Sequence, residues 1–292
     1  MKTYKIAWGS HSLELGERTC IMGIVNVTPD SFSDGGKFFS FEAAVAQGRK
    51  LAADGADILD IGGESSRPFS EPVSVEEELR RVLPVIETLA KSVSIPISID
   101  TTRAVVARKS LEAGASIIND ISALRLDGNL SAVAAEYGVP IVLMHMLGTP
   151  KTMQVSPVYG NVIADVKFFL EDAINRAEKA GIERGKVIID PGIGFGKTVE
   201  HNLSLIQHLH ELTLLGVPVL IGPSRKAFIR NILKDPASKD IQPDLPVVEI
   251  GTQAAIAASV LNGAHIVRAH NVANTSATVK IIDAIKNSTK FS

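Results

Sequence analysis

The sequence predicts an α/β protein built as a single (β/α)8 barrel, and three observations carry that expectation. Short apolar runs rich in β-branched residues alternate eight times with longer stretches of helical spacing, the mark of βαβ units whose parallel sheet is buried on both faces. Most of the helical stretches stop at a glycine, and the next apolar run starts within a few residues. No dinucleotide-binding fingerprint marks the first turn, which favours a closed barrel over an open doubly wound sheet.

Lys5 to Glu17, with Gly9 and Ser10 at its centre, reads as a hairpin capping the lower mouth of the barrel. The first unit pairs strand Cys20–Val25 with helix Phe41–Asp54, stopped at Gly55. The second pairs Asp57–Gly62 with Val75–Lys91, where Glu76, Glu77, Glu78, Arg80 and Arg81 read as early-turn charges and a solvated helix face. Pro96–Asp100 and Ala104–Glu112 follow, stopped at Gly114, then Ser116–Asp120 and Leu130–Tyr137, stopped at Gly138. The fifth unit is Pro140–His145 with Val162–Ala180, stopped at Gly181, and the sixth is Val187–Asp190 with His201–Leu215, stopped at Gly216. The seventh strand, Pro218–Gly222, is separated from its helix, Val247–Asn262, by the polar segment Asp235–Pro246, whose Pro236, Pro243 and Pro246 mark an exposed excursion. Gly263 stops that helix, and His265–Ala269 with Asn274–Lys286 complete the set. No stretch has the composition of a domain linker, so residues 1–292 read as one domain, with 1–19 as its N-terminal hairpin.

Composition narrows the function classes. The chain has 292 residues and a formal net charge of -2, without a Lys/Arg tract, so it offers no field for nucleic acid. One cysteine, Cys20, excludes an internal disulfide and a cysteine-based zinc site and suits a reducing compartment. The first fifteen residues lack a signal-peptide core and no apolar run reaches membrane-spanning length, so a cytoplasmic location without membrane contact is expected. Asn26-Val27-Thr28 matches a glycosylation acceptor, but without a secretory signal and with Pro29 following, the match is set aside.

Chemistry concentrates at the carboxyl ends of the strands, the face where barrel enzymes place their sites. In order these ends offer Asn26, Asp60, Asp100, Asn119 with Asp120, His145, Asp190, Ser224 with Arg225 and Lys226, and Arg268 with His270. One such residue is as often a helix cap, but eight together point to an active site. The carboxylates of Asp60, Asp100 and Asp190 would satisfy a flat heterocycle bearing adjacent ring N–H and exocyclic amine groups, and Arg268 could stack on it. Asn26, Arg67, Arg268 and His270 suit an anionic leaving group, and Asp34 suits a hard cation such as magnesium. A heterocyclic diphosphate fits this inventory. By contrast Gly192-Ile-Gly-Phe-Gly-Lys-Thr198 mimics a phosphate loop but has Pro191 where the first glycine is required. His208 and His210, two apart on a predicted helix, point to different faces and do not make a metal site. A Schiff base on Lys226 is a competing reading.

The stretches Met22–Gly36, Asp60–Pro68, Ser98–Thr101, Ile118–Ile121, Leu143–Met146 with Gly148-Thr-Pro150, Asp190–Lys197, Ser224-Arg-Lys226 and Arg268-Ala-His270 resemble, in order, the dihydropteroate synthases. That resemblance spans essentially the whole chain. It implies a transferase of folate biosynthesis that joins 6-hydroxymethyl-7,8-dihydropterin diphosphate to 4-aminobenzoate and is a target of sulfonamides. It further implies that Asp100, Asn119, Asp190 and Lys226 hold the pterin edge under Arg268, with Asp60, Met144 and Gly222 among the substrate contacts. Asn26, Arg268 and His270 are implied to receive diphosphate, and Asn26 with Asp34 to bind Mg2+. Ser66, Arg67, Pro68, Phe195, Ser224 and Lys226 match the aminobenzoate pocket. Asp100, Asp190, Lys226, Arg268 and His270 are the expected catalytic set. The Gly/Ser/Pro-rich loops of Asp34 and Arg67 are expected to close over bound diphosphate, so that the arylamine binds second.

The chain departs from the family pattern at Phe69-Ser70, where Gly and a small residue are frequent, which bears on sulfonamide affinity, and at Asn271, where Asp is frequent. Two rival readings are a pterin-dependent methyltransferase barrel and a non-catalytic pterin-binding module. Apolar positions on the last two helices, Ile256, Val260, Ile281 and Ile285, would suit a homodimer.

Overall fold

The computed structural model describes residues 2–27, 41–65 and 70–288. Strands β1 (Tyr4–Trp8) and β2 (His11–Leu15) pair antiparallel across Gly9-Ser10, as the sequence predicts. Eight parallel strands follow: β3 (Cys20–Asn26), β4 (Ile58–Gly62), β5 (Ile97–Asp100), β6 (Ile117–Asp120), β7 (Ile141–Met144), β8 (Val187–Asp190), β9 (Leu220–Ile221) and β10 (Ile266–Ala269). Each pairs with its chain neighbour, β10 returns to β3, and a bridge between Ile189 and Val219 joins β8 to the approach to β9, so the sheet closes into the predicted ring.

Several strands start one residue later than the sequence suggested, because Pro96 and Pro140 have no N–H to give the ladder. Their carbonyls still join it, accepting from Leu59 N at 3.1 Å and Ile118 N at 3.0 Å. The seventh strand shrinks furthest, to two residues.

Among the described residues ten helices pack around the strands: α1 (Phe41–Ala53), α2 (Val75–Ala90), α3 (Ala104–Glu112), α4 (Leu130–Tyr137), α5 (Val162–Lys179), α6 (Val199–Gln207), α7 (His210–Thr213), α8 (Ala227–Leu233), α9 (Pro246–Leu261) and α10 (Val272–Asn287). The predicted helix His201–Leu215 is two helices. Thr198 starts the first with a capping box closed by His201, and it ends at His208, whose backbone leaves the helical region. The segment α8, within the seventh connection, was not expected. Pro246, read as the end of a loop, is the first residue of α9, where a missing N–H costs nothing. Gly138 caps α4 in the left-handed conformation that glycine adopts without strain.

The hairpin lies under the amino ends of the strands. Ile6, Trp8, Leu13 and Leu15 are buried in the same apolar core as the barrel. Cys20, at the start of β3, meets the Glu14 carbonyl, and the Tyr4 ring lies edge-on to His265 at 5.1 Å. Ile256 and Val260, offered above as a surface for self-association, are fully buried in that core; Ile281 and Ile285 are exposed. No helix among the described residues is long and apolar enough to cross a membrane.

Candidate active site

The parallel register sets the polar strand ends side by side at one mouth. Asp100 pairs across to Asn119, Gly62 to Asp100, and Met144 to Asp190, so a turn of the ring carries these residues at one height. The centre of the constellation is Arg268, rising from β10. Its Nε donates to Asp60 Oδ2 at 2.6 Å and its Nη2 to Asp100 Oδ2 at 3.0 Å. The same Asp60 oxygen accepts from Asn119 Nδ2 at 3.0 Å. Asp60 Oδ1 is buried without a hydrogen-bond partner among the described residues. Asp60, almost wholly buried, is therefore an anchor: it fixes the guanidinium and turns the Asn119 amide so that its oxygen is the end left to offer.

The cleft above these groups is open to solvent, and its mixed polar and apolar lining suits a small heterocycle. Asp100, Asn119, Asp190, Lys226 and Arg268 give it polar walls, and Ile121, Met144, Ile193 and Phe195 an apolar floor; Gly222 opens one side. Burial raises the Asp190 carboxyl to about 6, even though the Gly192 N–H donates to it at 2.7 Å and Lys226 and Arg268 lie near. Burial and the neighbouring Asp60 charge raise the Asp100 carboxyl too, against the pull of Arg268.

Two loops complete the mouth. After β8, Gly192 holds a positive φ, and a Cβ there would run into the His145 carbonyl, so the backbone can turn over Asp190 only as glycine. The Phe195 ring then faces Lys226, whose Nζ lies 4.0 Å from its centroid. After β9, Arg225 adopts a φ of 58°, a left-handed conformation uncommon outside glycine, which places Ser224 and Lys226 on either side of the turn. Its N–H is satisfied by Thr252 Oγ1 at 3.1 Å. Ser224 Oγ meets His270 Nδ1 at 2.9 Å, so the last two predicted strand exits are joined. Asn271 caps α10 by accepting from Asn274 N, a task that Asp would do equally.

Asn26 ends β3, half-buried, and pairs in register with Gly62, the β4 neighbour of Asp100. Asp34, Ser66, Arg67, Pro68 and Phe69 lie outside the described residues. Ser70 donates to the Ser65 carbonyl at 2.5 Å. His208 and His210 are exposed, and no cluster of three or more potential metal ligands forms among the described residues.

The charged run on α2 is not the solvated face its spelling suggested. Glu76, Glu77 and Arg80 are less buried than Glu78 and Arg81, which turn inward and are almost wholly buried. Glu78 accepts from Thr101 Oγ1 at 2.8 Å and is ion-paired to Arg103, which also reaches Glu64 at 2.9 Å and the Val73 carbonyl at 2.8 Å. Arg81 donates to the Gly63 carbonyl at 2.8 Å. These bonds tie both ends of the segment after β4 to α2 and β5. Nothing in the local sequence marks Arg103 as their hub, beyond its place two residues after a strand-end Thr.

Known proteins share this architecture. A model of the pterin binding enzyme family matches residues 22–270. A dihydropteroate synthase of Synechocystis is 46% identical over 277 residues, covering 95% of this chain and 93% of its own. Xanthomonas albilineans dihydropteroate synthase with 4-aminobenzoic acid superposes with a TM-score of 0.88 at 44% identity, covering 98% of this chain and 99% of that one. The same organism's enzyme in complex with 7,8-dihydropteroate gives 0.81 at 43%, covering 94% and 96%.

Proposed function

The chain belongs to the pterin binding enzyme family, and on that premise we propose that it catalyses the dihydropteroate synthase reaction by a dissociative path along the cleft just described. It is a transferase that joins 6-hydroxymethyl-7,8-dihydropterin diphosphate to 4-aminobenzoate, releasing diphosphate. The observation that carries the path is the clamp of Arg268 between Asp60 and Asp100 beside the buried Asp190 carboxyl.

Asp190 and Asp100 accept from the pterin's N–H groups, Asn119 offers its amide oxygen, and Lys226 donates to a ring acceptor. Arg268, already held by two carboxylates, covers one face of the ring, and Ile121, Met144 and Phe195 border the apolar side. The bond from the exocyclic methylene to the diphosphate oxygen breaks first, with both electrons leaving on oxygen. The positive charge left on the pterin is stabilised by Asp100 and Asp190, largely buried and fixed before the reaction. The arylamine nitrogen, bordered by the Phe195 and Lys226 side chains, then forms the new C–N bond and gives up one proton to water. An arylamine is nucleophilic enough that no strong base is needed. Ser66, Arg67 and Pro68 are proposed to border its carboxylate end.

Asn26, Arg268 and His270 are proposed to receive the diphosphate, whose oxygens suit N–H donors, with the Ser224 hydroxyl holding the His270 ring. Asn26, at the barrel mouth with a hard amide oxygen, fits a Mg2+ ion held by few protein groups and by phosphate oxygens, with Asp34 as second protein donor. When bound, magnesium would neutralise charge on the departing diphosphate. Exposed Ile250, Leu261, Ile281 and Ile285 on α9 and α10 support self-association as a homodimer, and sedimentation measures it. The reaction itself is tested by mixing the protein with both substrates and magnesium: 7,8-dihydropteroate should form in step with diphosphate. Failure to form 7,8-dihydropteroate with both substrates and magnesium present would sink the reading.

A further inference from the structure

The Gly192–Lys197 turn, a phosphate-loop mimic in the sequence, binds an internal cation instead. Lys197 is almost wholly buried. Its Nζ lies 2.9 Å from the Gly192 carbonyl, 3.0 Å from the Phe195 carbonyl and 2.9 Å from His145 Nδ1. An ammonium only donates, so these three acceptors use all three of its hydrogens, and His145 must carry its own proton on Nε2. Burial, then the Lys197 charge, push the His145 ring down to about 2, which keeps it a neutral acceptor. The three hydrogen-bond partners of Lys197 are neutral, and burial lowers its ammonium to about 7 against the attraction of the Asp190 charge. An ammonium held only by neutral groups is costly to bury. What it holds is a turn with positive φ at Gly192, Gly194 and Gly196, a conformation with no regular hydrogen-bond ladder of its own.

The other bonds of the turn divide it in two. Its first end is tied to the pterin side by Gly192 N donating to Asp190. Its middle is tied through Gln154 to the Gly194 carbonyl at 2.9 Å and through Tyr159 to the Gly196 carbonyl at 2.7 Å. The Phe195 carbonyl has Lys197 as its partner, and the Phe195 ring is the face turned to Lys226.

We propose that Lys197 is a positioning residue: it latches the turn after β8 to His145 and so sets where the Phe195 ring stands against Lys226. The inference rests on the reading above that Phe195 and Lys226 flank the arylamine. Lys197→Met removes the ammonium and keeps the length of the side chain. It should raise KM for 4-aminobenzoate by about tenfold to a hundredfold, the effect of small misplacement of a binding group. KM for the pterin diphosphate should rise less than that for 4-aminobenzoate, because the Gly192 N–H keeps its own tie to Asp190 although the Lys197 bond to the Gly192 carbonyl is lost. Phe195→Ala should raise the same KM, and adding Lys197→Met to it should raise it little further. An unchanged KM for 4-aminobenzoate, an equal rise in both KM values, or fully additive effects would each overturn the latch.

Amide exchange gives an answer that does not depend on catalysis. Lys197→Met should speed exchange at Phe195, whose N–H donates to the Gly192 carbonyl that Lys197 also holds, while leaving β7 and β8 protected; uniform acceleration or none would refute it. If Lys197→Met does not fold, Lys197→Gln, which keeps one donor, is read the same way. Should the unaltered protein make no dihydropteroate, the proposed function fails while the exchange test of the latch still stands.

Discussion

Asp190 is an acid that the fold keeps partly against its own stability. Its carboxyl titrates near 6 in the folded chain against about 4 unfolded, so folding favours the protonated form. The sign follows directly: this group's stabilising contribution is complete below about pH 4 and is lost as pH rises through about 6, so at neutral pH the full cost of ionisation is carried. Asp190→Asn should therefore stabilise the fold at pH 7 by about 1–3 kcal/mol, measured by denaturant unfolding. The same change should slow dihydropteroate formation by at least about 100-fold, because a stabilising charge is removed beside the developing cation. Near-normal turnover, or a loss of stability, would contradict the role given to it. In the unaltered enzyme kcat/KM for the pterin diphosphate should fall as pH drops below about 6, as Asp190 takes up its proton. The acidic members of the site were legible because they end apolar strands. Asp60 was not legible as an anchor, since its partner Arg268 lies 208 residues away and nothing local announces the pair.

At the scale of elements, the turn after β8 is the most tightly specified. Gly192→Ala would set a methyl group against the His145 carbonyl at a positive φ, so both strain and clash oppose it. A loss of roughly 2–4 kcal/mol in unfolding free energy, with a still larger fall in activity than in stability, is expected from the mechanisms that make single substitutions severe. If calorimetry finds this variant as stable as its parent, the close approach is not as described. The strands were read well because parallel strands buried on both faces spell continuous apolar runs. The seventh unit was read least well, since its strand is two residues long and α8 is a single short helix with Phe228 and Ile229 as its buried anchors. On α2 the spelling misled for a physical reason: Glu78 and Arg81 sit three apart on one face, and that face packs toward Thr101 and Arg103 after β5 and the Gly63 carbonyl after β4 rather than toward water.

For the whole molecule, the hairpin is a load shared with the barrel rather than an appendage. It buries Ile6, Trp8, Leu13 and Leu15 beneath the strands, and each such side chain is worth about 1.5–3 kcal/mol. Removing residues 2–16 should thus take away several kcal/mol, comparable with the roughly 5–15 kcal/mol that keeps a domain folded. The truncated chain should melt far below the full one or fail to fold, as circular dichroism would show; an unchanged melting temperature would mean the barrel closes its own floor.

The ring is also joined unevenly. Among the described residues the bridge from Ile189 to Val219 is the tie across to β8, while the β9–β10 seam pairs two residues and the other seams three to five. A hoop parts at its thinnest weld, and this weld divides the Phe195 bank of the cleft from the Lys226 bank. Heat should loosen the molecule there first, and a product lying across both banks would act as a rivet through the fault line. The aperture that admits substrate and the weakest joint of the architecture are then one place, and occupancy of the cleft is what makes the circle whole.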